Sequence, residues 1–338
     1  EKEVSGMTVN NSSDNLLEVR DLSISIREGD ASYTAVDGIS YEVKKGEILG
    51  MVGESGCGKT VTNLAVMGLL PAVLSVSGGS ILYDGKELAG ISDAERRSLN
   101  GNEISMIYQE PLTSLNPLAR IGDQVRESLE IHHPELTKEE KEKRVLQALS
   151  EVGLPNPEEL IRMYPHQLSG GMRQRVCIAM ATICRPRLMI ADEPTTALDV
   201  TVQARVLRLL RHINRKYGMS MIFISHDLAV IRQICDRVIV MYAGKIVEEG
   251  PVEDILQNPA HEYTKGLMRS IPQFDSKGAD LPAIPGHVPS TEEYRDPCPF
   301  APRCRLAQDI CRKTAPPEIL LSKEHSFYCH MSSKKTGA

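Results

Sequence analysis

The sequence predicts an α/β fold, in which a parallel-sheet domain carries a helical insertion and a small Cys-rich extension. Three observations predict it. Short apolar runs alternate with helix-like stretches on both sides of a helix-rich segment. A Gly-rich loop at residues 53–60 joins one apolar run to one helical stretch. Four of the eight cysteines lie behind a Pro-rich stretch near the C-terminus.

The first third of the chain is predicted to alternate strands with helices. Residues 1–14 are polar and aperiodic, which predicts a disordered arm. Apolar or alternating runs predict strands at residues 17–26, 39–43, 47–52, 80–83 and 103–108. A helix over residues 59–69 follows the Gly-rich loop. Ser92 and Glu95 form a capping-box pattern, which predicts a second, short helix.

Residues from about 109 to 185 are helix-rich and predict an inserted helical subdomain, with a second capping box at Thr137 and Glu140. Strand–helix alternation then returns. Strands are predicted at 187–191, 221–225, 238–242 and 245–248, and helices at 200–216 and 228–234. We expect the core domain to span residues 15–262. A C-terminal extension, residues 263–338, begins with a Pro-rich linker.

Composition narrows the class of protein. Of 338 residues, 41% are hydrophobic and only 4% aromatic, which predicts a globular chain with an aliphatic core. The formal net charge of −6 argues against a large nucleic-acid footprint. No apolar run approaches the roughly 18–20 residues of a membrane helix. We therefore expect a soluble, cytoplasmic chain whose role at a membrane, if it has one, goes through a partner.

The Gly-rich loop matches the phosphate-binding pattern G-x-x-x-x-G-K-[ST]. It consists of Gly53, Glu54, Ser55, Gly56, Cys57, Gly58, Lys59 and Thr60. Backbone N–H groups of such a loop turn inward around an anion, and the following helix N-terminus adds its positive dipole. Lys59 would reach the β- and γ-phosphates and Thr60 would ligate Mg²⁺. A Gly-rich turn with a surface lysine is the plain alternative, but the strand–helix context disfavours it.

Cys57 occupies a variable position of this loop, and we expect it to serve there as a small side chain. A thiol near a helix N-terminus can have a lowered pKa. We therefore expect a maleimide to modify Cys57 and MgATP to protect it.

An apolar strand ends in two acids, Asp192 and Glu193. Successive residues of a strand point to opposite faces, so the two carboxylates can have different roles. Asp192 would hold Mg²⁺ through water, and Glu193 would polarise the water that attacks the γ-phosphate. The alternative is a strand end with two solvated acids.

Ser169, Gly170 and Gly171 open an apolar helix and form a second phosphate-binding device, with Ser169 as the N-cap. One γ-phosphate hardly needs two such devices from one subunit. The segment from Leu168 to Arg175 resembles the signature loop of ABC-type ATPases. The resemblance implies an ABC-type P-loop ATPase core, a mixed sheet flanked by helices. It also implies that the loop of one subunit closes on ATP held by the other.

Four further positions match the ABC pattern, and the match covers about residues 16–262. Gln109 resembles the Q-loop glutamine, which contacts Mg²⁺ and senses the transmembrane partner. Asp199, with Ala197 and Leu198, resembles the D-loop. His226 resembles the switch histidine that contacts the γ-phosphate. Tyr33 resembles the aromatic residue that stacks on adenine, although Tyr41 is nearby.

Residues 109–117, 281–286 and 298–304 resemble segments of the first ATP-binding subunit of oligopeptide/dipeptide importers. This resemblance implies ATP hydrolysis that powers peptide import at the cytoplasmic face of the cell membrane. It implies as partners a second homologous ATPase subunit in a heterodimer, two transmembrane permeases and an extracytoplasmic substrate-binding protein, without nucleic acid. A nickel or other small-solute importer is the alternative. An ABC ATPase acting on nucleic acid and an iron–sulfur redox protein are disfavoured, since the chain is acidic and its hydrolytic motif set is complete.

The tail cysteines Cys298, Cys304, Cys311 and Cys329 have the spacing C-x5-C-x6-C-x17-C. Structural zinc sites and ferredoxins use tighter pairs. The chemistry alone leaves an iron–sulfur cluster, zinc and free thiols open. Some members of the resembled family carry a [4Fe–4S] cluster in this extension, which favours a structural cluster here. His325 and His330 are expected to be bystanders.

Overall fold

The computed structural model describes residues 14–196, 198–270, 284–290, 293 and 296–331. Most of the arm predicted at residues 1–14, the D-loop residue Ala197 and part of the Pro-rich linker therefore lie outside the described residues. Within them, the chain forms two sheets, a helical insertion and a short tail that returns to the larger sheet.

An antiparallel four-stranded sheet forms the N-terminal part of the fold, in the order β2-β1-β4-β5. Its strands are β1 (Asn15–Glu28), β2 (Ala31–Lys44), β4 (Leu74–Tyr83) and β5 (Lys86–Glu87). The predicted strands 17–26, 39–43 and 80–83 are parts of these longer ones. Their bulged pairing interrupts the strict alternation that sequence reasoning looks for.

An eight-stranded sheet forms the centre, in the order β11-β12-β10-β9-β3-β8-β7-β6. The five strands from β9 to β6 are parallel. They are β3 (Ile48–Val52), β6 (Ile104–Ile107), β7 (Leu188–Asp192), β8 (Ser220–Ser225) and β9 (Arg237–Tyr242). The antiparallel edge consists of β10 (Lys245–Pro251), β11 (Glu318–Leu320) and β12 (Ser326–Tyr328). The prediction of a mixed α/β sheet is confirmed.

Helices cover the central sheet and continue into the insertion. Those around the sheet are α1 (Lys59–Met67), α2 (Asp93–Leu99), α8 (Val200–Tyr217), α9 (Leu228–Ile234), α10 (Val252–Gln257) and α11 (Glu262–Arg269). Those of the insertion are α3 (Pro111–Ser114), α4 (Ile121–His132), α5 (Lys138–Glu151), α6 (Pro157–Leu160) and α7 (Gly170–Thr182). Helix α1 ends two residues before the predicted end because Gly68 takes a left-handed conformation. Both predicted capping boxes are present.

Two hydrophobic cores lie on opposite faces of the central sheet. Along β3, Ile48 and Val52 pack into the core shared with the insertion, whereas Leu49 and Met51 pack toward the N-terminal sheet. This arrangement places every parallel strand of the central sheet between two apolar layers. The carboxyl ends of β3, β7 and β8 meet at one edge, where a ligand site is expected.

Candidate functional site

The Gly-rich loop lies between β3 and α1, as the motif requires. Gly56 and Gly58 have φ values of 81° and 100°, which L side chains rarely adopt. Gly53 is a close approach, because a Cβ placed on it would lie 2.2 Å from the carbonyl oxygen of Met241. Ser55, Gly56 and Thr60 are exposed. The backbone of the loop therefore forms a concave surface, which is exposed at Ser55 and Gly56 and at the start of α1.

Lys59 is folded back over this loop. Its Nζ donates to the carbonyl oxygens of Gly53 at 2.7 Å and Glu54 at 3.0 Å, and it lies 3.4 Å from the Sγ of Cys57. The side chain is buried. A cation held by neutral backbone acceptors can exchange them for phosphate oxygens, which are stronger acceptors because they are charged.

The expectation of a reactive Cys57 is wrong. The residue is fully buried, and burial raises the pKa of its thiol, although Lys59 acts in the opposite direction. Sequence reasoning considered only the helix N-terminus and missed the desolvation. Cys57 thus contributes a small side chain to the loop, and the structure gives no reason for maleimide labelling.

Two candidate Mg²⁺ ligands, one in the loop and one at the end of β7, contact each other. Thr60 hydrogen-bonds the carboxylate of Asp192, the last residue of β7. Asp192 is only 4% exposed, and burial raises its pKa while the Thr60 hydrogen bond and Lys59 lower it. A buried carboxylate beside a hydroxyl provides the oxygen donors that Mg²⁺ prefers.

Glu193 is the centre of the site. Its Oε2 accepts hydrogen bonds from Gln109 Nε2 at 3.2 Å and from Thr196 Oγ1 at 2.8 Å, and lies 3.2 Å from His226 Nδ1. The residue has a φ of 45°, a strained conformation for a non-glycine residue, and strain of this kind concentrates at functional sites. Two predicted site residues, Gln109 and His226, therefore meet at the carboxylate of a third, Glu193. Thr196 was missed, since a threonine three residues after an acid carries no pattern of its own.

The signature loop at the start of α7 and the D-loop residue at the start of α8 lie close together. Ser169 caps α7 by accepting from Met172 N, and Asp199 caps α8 by accepting from Thr201 N and Val202 N. Gly171 lies against Val202, where an added Cβ would come within 3.0 Å of Cγ1. Ser169, Gly170 and Asp199 are exposed. The hydrogen bonds described for Ser169 stay within the first turn of α7.

Tyr33 and Tyr41 both lie on β2 but differ in exposure. Tyr33 is half-buried, and two residues further along β2 the backbone carbonyl oxygen of Ala35 lies 3.4 Å from where a Cβ on Gly58 of the phosphate loop would be. Tyr41 is buried, and its Oη has no hydrogen-bond partner among the described residues. Tyr33 is thus the tyrosine of the two that reaches the surface near the loop.

The tail cysteines are close together but do not form a ready ligand set. Within the described ranges, no three His, Cys, Asp or Glu side chains are placed to share a metal ion. Burial, together with the charges of the other three thiols, raises the pKa of Cys298 to about 11, while the Phe300 N–H acts in the opposite direction. The expected cluster site is therefore not assembled in this structure.

Two protein-family models match the chain. The ABC transporter model matches residues 36–196, and the model of the oligopeptide/dipeptide transporter C-terminal region matches residues 247–311. The chain is 46% identical, over 95% of its length and 96% of the relative's, to the dipeptide transport ATP-binding protein DppD of Bacillus subtilis. It is 46% identical, over 90% of each chain, to the oligopeptide transport ATP-binding protein OppD of Salmonella typhimurium.

Solved structures share the fold of the core. An ATP-binding cassette solved as a dimer in a post-hydrolysis state with ADP and phosphate has a TM-score of 0.63 at 26% identity, over 70% of this chain and 98% of that one. A component of an ABC transporter complex from Clostridium perfringens has a TM-score of 0.63 at 27% identity, over 73% and 92% of the two chains. No helix within the described part of the chain is long and apolar enough to cross a membrane.

Proposed function

The chain belongs to the family of ATP-binding subunits of dipeptide and oligopeptide ABC transporters, and from this premise we propose how its residues work. As such a subunit it hydrolyses ATP, and the hydrolysis powers peptide import. The roles below are assigned from the contacts of the site.

The phosphate loop binds the triphosphate. The backbone N–H groups of residues 53–60 and the N-terminus of α1 surround the phosphates, with Ser55 and Cys57 as part of the loop. Lys59 exchanges its carbonyl acceptors on Gly53 and Glu54 for phosphate oxygens. Thr60, Asp192 and Gln109 would hold Mg²⁺, which neutralises charge that develops on the phosphate oxygens. Tyr33 stacks on the adenine from β2.

Glu193 orients and polarises the attacking water, and its three partners carry this assignment. Gln109, Thr196 and His226 converge on Oε2 and fix that oxygen, which leaves Oε1 for a water molecule. His226 is 59% exposed, so its imidazole can also turn toward the γ-phosphate. The role of the protein here is positioning and electrostatic stabilisation, which phosphoryl transfer needs most.

The hydrolytic site is completed by a second subunit. Ser169, Gly170 and Gly171 present helix N–H groups, and Asp199 a cap, on an exposed face. We propose that this face closes on ATP held by a homologous ATPase subunit in a heterodimer. A dimeric arrangement is known for the cassette solved with ADP and phosphate. We also propose that the dimer works with two permeases and an extracytoplasmic binding protein at the cytoplasmic face of the membrane, and the relatives named as peptide transport ATP-binding proteins support this.

The assignment of Glu193 is tested by Glu193→Gln in the assembled transporter. The amide keeps the shape and the hydrogen bonds but cannot accept a proton from water. We expect ATP binding to persist, turnover to fall at least about a hundredfold, and the closed dimer to accumulate. Glu262→Gln on α11 is a matched control outside the site. Retained turnover in Glu193→Gln would show that another group activates the water.

For the tail, we propose that Cys298, Cys304, Cys311 and Cys329 hold a structural [4Fe–4S] cluster. The Sγ of Cys329 accepts the N–H of Met331 at 3.4 Å, and the N–H groups of Phe300 and Leu306 act to lower the pKa of Cys298 and Cys304. Such N–H···S bonds stabilise thiolates in iron–sulfur sites. Anaerobically purified protein should contain iron and sulfide and be brown. Stoichiometric zinc without iron, or neither metal, would contradict the proposal.

A further inference from the structure

A buried arginine of the tail contacts the phosphate loop. Arg303 lies between Cys298 and Cys304, and its side chain is only 5% exposed. Its Nη1 and Nη2 donate to the two carboxylate oxygens of Glu54 at 2.6 Å and 3.1 Å. This is a bidentate ion pair between residues 249 positions apart in the chain.

All five donors of the Arg303 guanidinium have acceptors. Besides Glu54, Nε donates to the carbonyl of Pro285 at 2.9 Å, Nη2 to that of Ile284 at 3.1 Å, and Nη1 to Tyr242 Oη at 3.3 Å. A guanidinium has five N–H groups, so its position is fully determined. The carboxylate of Glu54 therefore pairs with a guanidinium whose position is fixed, and not with a mobile surface charge.

The turn that carries Arg303 is itself anchored in the core. Phe300 is buried, and its ring lies 5.2 Å from that of Tyr242 and 5.4 Å from that of Tyr263. Tyr263 Oη accepts the backbone N–H of Glu54 at 2.8 Å. The same aromatic cluster therefore supports Arg303 and the loop backbone that Arg303 contacts.

Glu54 matters because of where it lies. It is the second residue of the phosphate loop, and its carbonyl oxygen accepts Lys59 Nζ. A carboxylate so close to a triphosphate repels it unless a cation compensates the charge. Among the contacts described here, only Arg303 of the tail neutralises the charge of Glu54.

We propose that Arg303 is a positioning residue for ATP binding, which neutralises Glu54 and fixes its side chain away from the phosphates. Nucleotide affinity of the core then depends on the folded tail. This inference rests on the proposed phosphate loop, but it concerns Arg303 and Glu54 alone.

The test measures the Kd for MgATP of the full chain by calorimetry. Arg303→Gln should raise Kd about tenfold, the scale of one uncompensated charge near a polyphosphate. Adding Glu54→Gln to Arg303→Gln should recover most of the affinity, because the unpaired carboxylate is gone. Arg305→Gln, an exposed neighbour in the same segment, should bind like the wild type. A merely structural Arg303 would give no recovery in the double variant.

If Arg303→Gln does not fold, a second pair of variants, both at Glu54, still tests the proposal. Glu54→Asp keeps the charge but withdraws it from the guanidinium, whereas Glu54→Gln removes it. We expect Glu54→Asp to bind MgATP several-fold more weakly than Glu54→Gln. Equal affinities, or the reverse order, would overturn the proposal. Absence of MgATP binding by the wild type would instead contradict the proposed phosphate site.

Discussion

His261 offers a prediction whose size can be worked out from the structure. It precedes α11 and is 3% exposed, with Nδ1 accepting from Tyr263 N at 3.2 Å. Its backbone N–H donates to Glu248. Burial lowers the pKa of His261 from 6.5 to about 4, with Glu262 acting against the shift and Lys265 with it. The folded chain therefore keeps this imidazole neutral at pH values where the unfolded chain protonates it.

The sign and size of the effect follow from linkage. Between the two pKa values the unfolded chain binds one proton more, so the free energy of unfolding falls as the pH falls through this window. With pKa values of 6.5 and about 4, the loss between pH 7.5 and 4.5 is about 2.5 kcal/mol.

The assay is urea unfolding of the wild type and of His261→Asn at pH 7.5, 6 and 4.5. Asparagine can cap α11 through its side-chain oxygen but does not titrate in this range. The stability difference between the two proteins should shift by about 2.5 kcal/mol in favour of the variant as the pH falls. His287→Asn, whose side chain is 84% exposed, is the control for replacing a histidine at the surface. A pH-independent difference for His261→Asn would refute the burial argument.

Three further substitutions test the nucleotide site. Lys59→Ala should weaken MgATP binding at least about tenfold in calorimetry, because a charge-assisted phosphate contact is lost; unchanged affinity would exclude this role. Thr196→Val, which is nearly isosteric, removes one hydrogen bond to Glu193. It should lower kcat about tenfold and leave KM for ATP little changed. A change in KM alone would contradict this role of Thr196. Gly53→Ala should lower the free energy of unfolding by about 3 kcal/mol, since its Cβ meets the Met241 carbonyl, and a thermal midpoint equal to the wild type would contradict the contact.

Local patterns in the sequence predicted local structure well. The capping boxes at Ser92 and Thr137 depend only on residues three positions away, and both formed. The strand before Gly53 and the helix after it were also predictable, since an apolar run and a glycine pattern define them. The resemblance of the motifs to ABC-type ATPases then indicated which strand ends would meet, and Gln109, Glu193 and His226 do meet.

Contacts between distant parts of the chain were not predictable. Strands β11 and β12 have three residues each, too few for a period-two pattern, and their pairing with β10 is decided by the fold. Neither the phosphate loop nor the tail segment, taken alone, contains a sequence pattern that predicts the Arg303–Glu54 ion pair. The error at Cys57 has the same origin, because the packing around a side chain decides its pKa more than its place at a helix end.

The tail strands β11 and β12 also cover the edge of the central sheet at β10. Strand β12 pairs with β10 and β11 pairs with β12, so this end of the sheet consists of two very short strands, with β11 at the edge. A chain cut before the tail would end its sheet at the seven-residue β10, with a row of open N–H and C=O groups that invites another copy to add a strand. Shortening this protein to its ATPase core should therefore yield a self-associating product.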